Sequence, residues 1–447
     1  MDERTRELLE APPAPLLIRL ATPNAVAFLI QASVSMAEVW FVGRLGTTAL
    51  AGIALVFPLL MLTQMMAGGA AGGAVASAVA RALGAGDRAR AERLLWHVIA
   101  LAVGGALLFL TLFVLFGSSF LAFLGGRDEV LEQAVAYCVV LFGGGVFIWL
   151  MGTISAVYRG TGNMRFPALL LIASAAVQVP LSGILVLGAF GAPQLGIVGA
   201  AISAVSASTL TSVIMLWRLT GDSQSVRLRW SACRFSAELF RDLFRVFAPA
   251  SLSPLLTVAT ILSLTAIVAG FGPAALAGYG IGSRIEFLLV PLVFGLGAAM
   301  TSLVGVASGA KDYGRAERIG WIGAGMAAAM AGSVGLLLAL FPSAWIPAFT
   351  DDAEAQAVAV SYMRTVGPFF ALQGVGLSLY FASQGAGAML WPVAATIMRI
   401  LVAVGGALLL AHGFGWGLSG VFVAAAGAMA LYGIIIAWAV KLGAWRR

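Results

Sequence analysis

Two carboxylic acids inside long apolar runs are the residues of this chain best placed to do chemistry. Glu38 lies in SMAEVWFVGRLG, near the end of one run, and Glu286 lies in GSRIEFLLVP, well inside another. An acidic side chain at the centre of a membrane helix costs about 2.5–3.5 kcal/mol on insertion scales, so such residues usually face a cavity. Burial disfavours the charged form of a carboxyl group, which lets it exchange a proton near neutral pH. Both acids are therefore candidate cation-coupling residues.

Each acid also has a structural interpretation. Glu38 is close enough to its helix end to reach the membrane interface or to cap a neighbouring helix. Glu286 has potential ion-pair partners in Arg364 and Arg399, whereas Arg284 is poorly placed because residues two apart point to different helix faces. The sequence alone leaves both interpretations open.

Other polar and aromatic residues inside the apolar runs could line a substrate cavity, because aromatic faces stack on flat molecules and attract cations. Arg399 could instead extend its charge to the cytoplasmic surface. If it faces a cleft, it favours anionic or zwitterionic substrates. Helix packing explains the aromatic and amide residues equally well. The candidates are Asn24, Gln31, Tyr137, Trp149, Arg284, Gln373 and Arg399.

The elements that position these residues are predicted to be membrane-spanning helices. The chain has 447 residues, of which 61% are hydrophobic and 10% charged, whereas soluble domains carry about 25% charged residues. Runs such as LLWHVIALAVGGALLFLTLFVLF are apolar on every face, unlike the alternating strands of a membrane β-barrel. A spanning helix needs roughly 20 such residues. We predict an all-α integral membrane protein with twelve spans, at 17–41, 48–79, 94–117, 131–157, 167–190, 195–217, 246–270, 274–306, 318–341, 355–382, 392–412 and 416–440.

The basic residues predict the orientation of these spans. Twenty of the 26 Lys and Arg residues fall on the side of the two termini, and only Arg44 and Arg127 fall on the other side. Because cytoplasmic loops are rich in Lys and Arg, we expect a multi-pass protein of the inner cell membrane with both termini cytoplasmic. This bias explains the net charge of +7 without nucleic acid as a partner. Cys138 in a helix and Cys233 in a cytoplasmic loop are not expected to form a disulfide.

The chain contains an internal repeat. GAGDRARAER (84–93) recurs as GAKDYGRAER (309–318), and GTGNMRFP (160–167) recurs as GAGAMLWP (385–392), both at an offset of 225 residues. Each half has six spans, so both halves enter the membrane in the same direction. The sequence predicts an N-lobe at 1–225 and a C-lobe at 226–447. The polar segment 221–244 is expected to join them on the cytoplasmic side and to contain a short amphipathic helix.

AEVWFVGRLGTTALAG, ARALGAGDRARAERLL and VYRGTGNMRFPA, with the later echoes GPAALAGYGIGSRIE and FASQGAGAMLWP, resemble the motifs of the multidrug and toxic compound extrusion (MATE) family. The resemblance implies two six-helix lobes around a central cleft, alternating access, and export of organic compounds against H⁺ or Na⁺. The family usually has a kink-forming proline and, fifteen residues later, an aspartate in its first helix. Pro23 and Glu38 hold those places here, which makes Pro23 the candidate hinge.

The fifth helix departs from the family pattern and bears on the coupling ion. Many members carry Asn and Asp four residues apart there, and Gln178 and Ser182 occupy those positions in this chain. We include both as candidate cavity residues. Sodium prefers several oxygen ligands, so the missing carboxylate favours H⁺, although Glu286 keeps a C-lobe sodium site conceivable.

The sequence therefore predicts a secondary active efflux transporter that exports organic compounds by H⁺ or Na⁺ antiport. A flippase for lipid-linked saccharide precursors is the alternative. No phosphate-binding G-x-x-x-x-G-K-[ST] loop supports an ATPase, and the two histidines, His97 and His412, form no zinc motif. We expect no enzyme activity, no cofactor and no resident metal ion. The expected partners are small organic substrates and the lipid bilayer, and the expected state is a monomer.

Overall fold

The secondary structure of this chain is helical. In lipid, the backbone N–H and C=O groups must form their hydrogen bonds within the protein, and a helix provides these bonds within one segment. The computed structural model describes residues 3–221 and 225–446, without the side chains of residues 287 and 288. Within these residues no strand is present. The prediction of an all-α membrane protein is confirmed.

Within the described residues, eleven helices are long and apolar enough to cross a membrane, and a bent pair provides a twelfth candidate span. We number them span 1 to span 12 in chain order. Span 4 is the pair Asp128–Gly143 and Gly145–Gly160, which bends by 52° at Gly144. The others, in order, are Pro13–Gly43, Thr47–Gly84, Arg88–Phe123, Arg165–Leu187, Ile197–Leu219, Ala237–Ala269, Pro273–Gly309, Tyr313–Leu340, Ala353–Ala386, Leu390–Gly413 and Gly417–Lys441.

The largest difference from the predicted bounds is at span 7. Its helix begins at Ala237, directly after Ser236 in an extended conformation, and it has Glu238 in its first turn, where an acid suits the helix dipole. The prediction of a separate amphipathic helix within 221–244 was therefore wrong, because residues 237–244 form the first turns of span 7. The described residues before them contain only a 3₁₀ turn, Trp230–Ala232.

The two sequence repeats form two groups of packed helices. Among the first six spans, span 1 packs on span 5, span 3 on span 4, and span 5 on span 6. Among the last six, span 10 packs on spans 8, 9 and 12. A short helix, Glu3–Glu10, precedes span 1. The lobes meet mainly where spans 1 and 2 cross span 8.

The crossing of spans 2 and 8 is built from repeat-equivalent pairs. Gly84 leaves no room for a Cβ atom against the backbone of Val306, and Gly309 leaves none against the backbone of Arg81. The offset of 225 relates Gly84 to Gly309 and Arg81 to Val306. We call this contact, together with its hydrogen bonds, the seam.

The hydrogen bonds of the seam follow the same symmetry. The Ser302 hydroxyl donates to the Arg159 carbonyl at 2.7 Å, and the Ser77 hydroxyl donates to the Gln384 carbonyl. The offset again relates Ser77 to Ser302 and Arg159 to Gln384. The same interaction thus joins the lobes twice, at positions related by a pseudo-twofold axis.

Among the described residues, every hydrogen bond, ion pair and ring contact between the lobes lies in the half of the molecule that holds the termini. Arg81 pairs with Asp242 at 2.7 Å, and the rings of Phe28 and Phe294 meet at 4.9 Å between centroids. Phe28–Phe294 is the contact farthest from the termini. Glu38 lies ten residues beyond Phe28, or about 15 Å along the helix. The candidate acid of span 1 is therefore on the side where no such contact joins the lobes.

Candidate functional site

One face of span 1 carries a row of polar side chains. Asn24, Gln31 and Glu38 are seven residues apart, a spacing of about two helical turns, so they lie on the same face. Asn24 is buried and its Nδ2 donates to Met164 Sδ at 3.2 Å, while Gln31 is half-buried. The row runs from the level of Pro23 to Glu38, and it connects the candidate hinge with the candidate acid.

Glu38 is buried between spans 1 and 5. Only 8% of the residue is exposed, and its Oε1 accepts a hydrogen bond of 2.8 Å from Gln178 Nε2. Tyr137 of span 4 is close enough to interact electrostatically with Glu38. Within the described residues no Lys, Arg or His lies within 4.0 Å of the carboxylate. An acid without a counter-ion can exchange a proton or bind a cation without breaking an ion pair.

The close approach of spans 1 and 5 encloses this acid. Gly183 provides the space, because a Cβ atom there would lie 2.9 Å from Cζ of Phe41. The neighbouring Ser182 is fully buried, and its hydroxyl has no hydrogen-bond partner among the described residues. Ser182 is one turn from Gln178 on span 5, so the structure brings Glu38, Gln178, Ser182 and Tyr137 into one region of the N-lobe.

Glu286 has a different environment in the C-lobe. Its Oε2 accepts a hydrogen bond of 2.9 Å from the hydroxyl of Tyr362 in span 10. Tyr362 is buried and packs edge-to-face on Tyr279 at 5.5 Å and on Phe422 at 5.1 Å between ring centroids. Gly282 accommodates the Tyr362 ring, which occupies the place a side chain would take. The tyrosine is thus fixed by packing, with its hydroxyl directed at the acid.

Glu286 and Gln373 open onto the same cavity. It is small, with a volume of about 30 Å³, and is lined otherwise by apolar residues, among them Leu289, Val293 and Phe370. Gln373 Oε1 is buried and has no hydrogen-bond partner among the described residues. The cavity therefore places one carboxylate and one free amide oxygen on an apolar wall, where both can accept hydrogen bonds.

The ion pairs considered for Glu286 do not form among the described side chains. Arg399 Nη2 donates to Thr257 Oγ1 at 2.7 Å, and its guanidinium carbon lies 5.1 Å from the ring centroid of Tyr432. Arg399 thus affects Glu286 only at longer range. Arg364 and Arg284 are both exposed.

Two further candidates lie apart from these groups. Trp149 is buried against Gly105 and lies 5.5 Å from Phe109 in the packing of spans 3 and 4, and its indole N–H has no described partner. Pro23 lies within the unbroken helix Pro13–Gly43, where it lacks the N–H of a regular turn. Their roles as cavity residue and hinge stay predictions.

Tyr362 was not among the site residues predicted from the sequence. The signal was present, because the repeat offset of 225 relates Tyr362 to Tyr137, which was a candidate. Within residues 3–221 and 225–446, no group of three or more His, Cys, Asp or Glu side chains could hold a metal ion.

The family model MatE matches residues 23–184 and 249–409 of this chain. The two matches begin at Pro23 and Pro249, which the repeat relates at an offset of 226. The "Probable multidrug resistance protein NorM" of Thermotoga maritima is 26% identical over 398 residues, which is 87% of this chain and 83% of that protein. The "FAD transporter" of Shewanella oneidensis is 27% identical over 325 residues, which is 70% of this chain and 69% of that protein.

Solved structures share the fold. Crystal structures of MATE in the straight and in the bent conformation each match with a TM-score of 0.91 at 24% identity, covering 100% of this chain and 99% of the other. A MOP superfamily transporter from Pyrococcus furiosus matches with the same score and coverage. The predicted arrangement of two six-helix lobes is confirmed at the level of the fold.

Proposed function

Because the chain belongs to the MatE family of membrane transporters, we propose that it exports organic compounds, drugs among them, in exchange for H⁺, with Glu38 as the proton-carrying residue. Relatives named as multidrug resistance proteins support this class of substrate. The observation that carries the proposal is the buried Glu38 carboxylate, whose one described hydrogen-bond partner is the neutral amide of Gln178.

Exchange requires proton and substrate to oppose each other's binding, and linkage makes that opposition reciprocal. Protonation removes the charge on Glu38 and weakens its hydrogen bond from Gln178, since bonds to charged acceptors are the stronger ones. Span 1 would respond near Pro23, where the helical ladder lacks one bond. Because the row Asn24, Gln31 and Glu38 links the two places, protonation can bias how span 1 sits between the lobes.

The cleft of the proposed transporter opens alternately at its two ends. In this structure the seam, together with ion pairs such as Arg81–Asp242, holds the lobes together at the end of the termini. Export would continue by separation of the seam and closure at the end near Glu38. The small C-lobe cavity beside Glu286 and Gln373 would widen to admit substrate, and the carboxylate and the free amide oxygen would accept hydrogen bonds from it.

The test uses purified protein in liposomes with sodium-free buffer and a fluorescent organic cation such as ethidium. We expect a pH gradient alone to drive transport by the wild-type protein, and Glu38→Gln to abolish it while preserving folding. Glu354→Gln, the same change at an exposed position at the start of span 10, is the matched control and should transport normally. Transport driven only by a sodium gradient, or pH-driven transport by Glu38→Gln, would refute the assignment.

We also propose that the end with the termini faces the cytoplasm of a cell whose inner membrane holds the protein. Cysteines at Gly191 and Asp352, in a Cys233→Ser background, should react with an impermeant thiol reagent added to intact cells, and a cysteine at Ala89 should not. All three positions are exposed and the remaining Cys138 is buried, so access to the reagent decides the result. The reverse labelling pattern would invert the orientation.

A further inference from the structure

The segment that joins the two lobes folds back against the outer side of span 3. The rings of Trp230 and Trp96 meet at 4.8 Å between centroids, and the Trp96 indole N–H donates to the Arg229 carbonyl at 2.9 Å. Span 3 begins at Arg88, so Trp96 lies eight residues, or about 12 Å, along the helix. The segment therefore reaches the level of the third turn of a membrane-spanning helix.

A second attachment holds the end of the segment at the same level. The buried His97 accepts a hydrogen bond of 2.9 Å at Nε2 from the Ser236 N–H, and its Nδ1 lies 3.0 Å from the Arg93 carbonyl. The His97 ring also contacts the rings of Phe235 at 5.3 Å and Phe240 at 4.6 Å. Residues 229–236 are thus fixed to span 3 at both ends.

The outer face of this segment presents large apolar rings. Trp230 is 83% exposed and Phe235 is 60% exposed, although both belong to ring clusters on their inner side. Trp217, at the neighbouring end of span 6, is 74% exposed. Tryptophan favours the headgroup region of a bilayer, where one part of its ring is apolar and the N–H is wet. Exposed rings at this depth match a lipid surface better than bulk water.

Positive charge surrounds the same rings. Arg93, Arg229 and Arg234 are exposed. The acid nearest Arg229 is Glu92, at 3.9 Å, and it is closer to Arg88, at 3.2 Å. The next acids along the chain, Glu238 and Asp242, pair with Arg90 and Arg81 instead. No ion pair of Arg93 or Arg234 is present in the described part of the chain.

We propose that residues 228–236, together with Arg93, form a binding site for anionic phospholipid in the leaflet at the end of the termini. Trp230 and Phe235 insert at the level of the glycerol backbone, and the three arginines bind the phosphate and the additional negative charge of the headgroup. Arginine suits this task because its planar donors match phosphate oxygens. The adjacent rings require an acyl chain or glycerol, so the occupant is a lipid and not free phosphate. The site does not depend on which compound is exported.

The depth of the segment is measurable through a native residue. Cys233 is exposed within the segment, whereas Cys138 is buried, so a nitroxide reagent labels the wild-type protein at Cys233. The relaxation of this nitroxide is then measured in nanodiscs containing phosphatidylglycerol. Compared with a label in water, we expect oxygen to relax the nitroxide more strongly and a water-soluble nickel chelate to relax it less. A label with the accessibility of bulk water would overturn the proposal without any variant being made.

The lipid preference is tested by native mass spectrometry from equal mixtures of phosphatidylglycerol and phosphatidylcholine. The wild-type protein should retain phosphatidylglycerol preferentially, and Arg229→Gln/Arg234→Gln should lose that preference. Arg4→Gln/Arg6→Gln removes the same charge from the exposed face of the helix Glu3–Glu10 at the same end, and it should keep the preference. Three results would each contradict the proposed site. The first is an equal loss of phosphatidylglycerol preference in both double variants, and the second is an unchanged preference in Arg229→Gln/Arg234→Gln. The third is displacement of the bound lipid by soluble glycerol phosphate.

Discussion

The two lobes share a scaffold but carry the acids of their membrane spans at unrelated positions. Tyr137 and Tyr362 are repeat-equivalent, and each stands beside an acid. Glu38, however, is on span 1, where its C-lobe equivalent is Leu264 at an offset of 226. Glu286 is on span 8, and the repeat relates it to residues 60 and 61 of span 2, which are both apolar. The repeat therefore matches the two tyrosines, but it does not match the two acids.

This difference supports the proposal that the two acids have different tasks. Glu38 is enclosed, with a neutral amide as its described partner. Glu286 borders a small cavity with apolar walls and accepts a hydrogen bond from a packed tyrosine hydroxyl. An enclosed acid suits a proton, and an acid on an apolar cavity suits an organic molecule. The seam differs from the acids, because its glycines and serines are repeat-equivalent and make the same contacts in both lobes.

The seam gives the largest predicted effect. Gly84→Ala and Gly309→Ala each force a Cβ atom into the backbone of the opposite lobe, and overpacking of this kind costs about 1–3 kcal/mol or more. Because the positions are symmetric, we expect both variants to lower thermal stability and transport by similar amounts. Gly325→Ala in span 9, where the added methyl meets no atom within 4 Å, is the control. A large difference between the two seam variants would contradict their equivalence.

The tyrosine pair should give a smaller and unequal effect. Tyr362→Phe removes the hydrogen bond that Glu286 accepts, and losing a hydrogen bond to a charged group lowers the free energy of unfolding by about 1–3 kcal/mol. Tyr137→Phe removes no hydrogen bond to Glu38 among the described contacts, so its cost should stay below about 1 kcal/mol. The free energy of unfolding in detergent, measured for both variants beside the wild-type protein, distinguishes them. Equal losses would show that the two acids depend on their tyrosines alike.

Sequence reasoning was most successful where one physical quantity dominates. Long apolar runs predicted the spans, and the offset of 225 residues predicted two equivalent lobes. The bend of span 4 at Gly144 was missed because GGG at 143–145 stands within an apolar run that reads as one helix. The fold of the joining segment was also missed, since it depends on tertiary contacts of Trp96 and His97 that no local pattern encodes.

The site was predictable in part. Glu38 stood out through its charge in an apolar run, and Gln178 became a candidate only through the family pattern, because contact between residues 140 positions apart leaves no local signal. Arg399 and Gln373 were named without their surroundings. Their partners, Thr257 and the cavity beside Glu286, follow from helix packing in three dimensions.

The most direct test of the central claim, that Glu38 carries the exchanged proton, is proton release on substrate binding. Purified protein in weakly buffered detergent solution, titrated with ethidium, should release close to one proton per molecule bound, because proton and substrate oppose each other. Glu38→Gln should bind the cation without releasing a proton. Glu286→Gln should bind more weakly but release a proton for each molecule that does bind. Proton release that persists in Glu38→Gln and disappears in Glu286→Gln would contradict this claim. It would indicate that Glu286 of the C-lobe carries the exchanged proton.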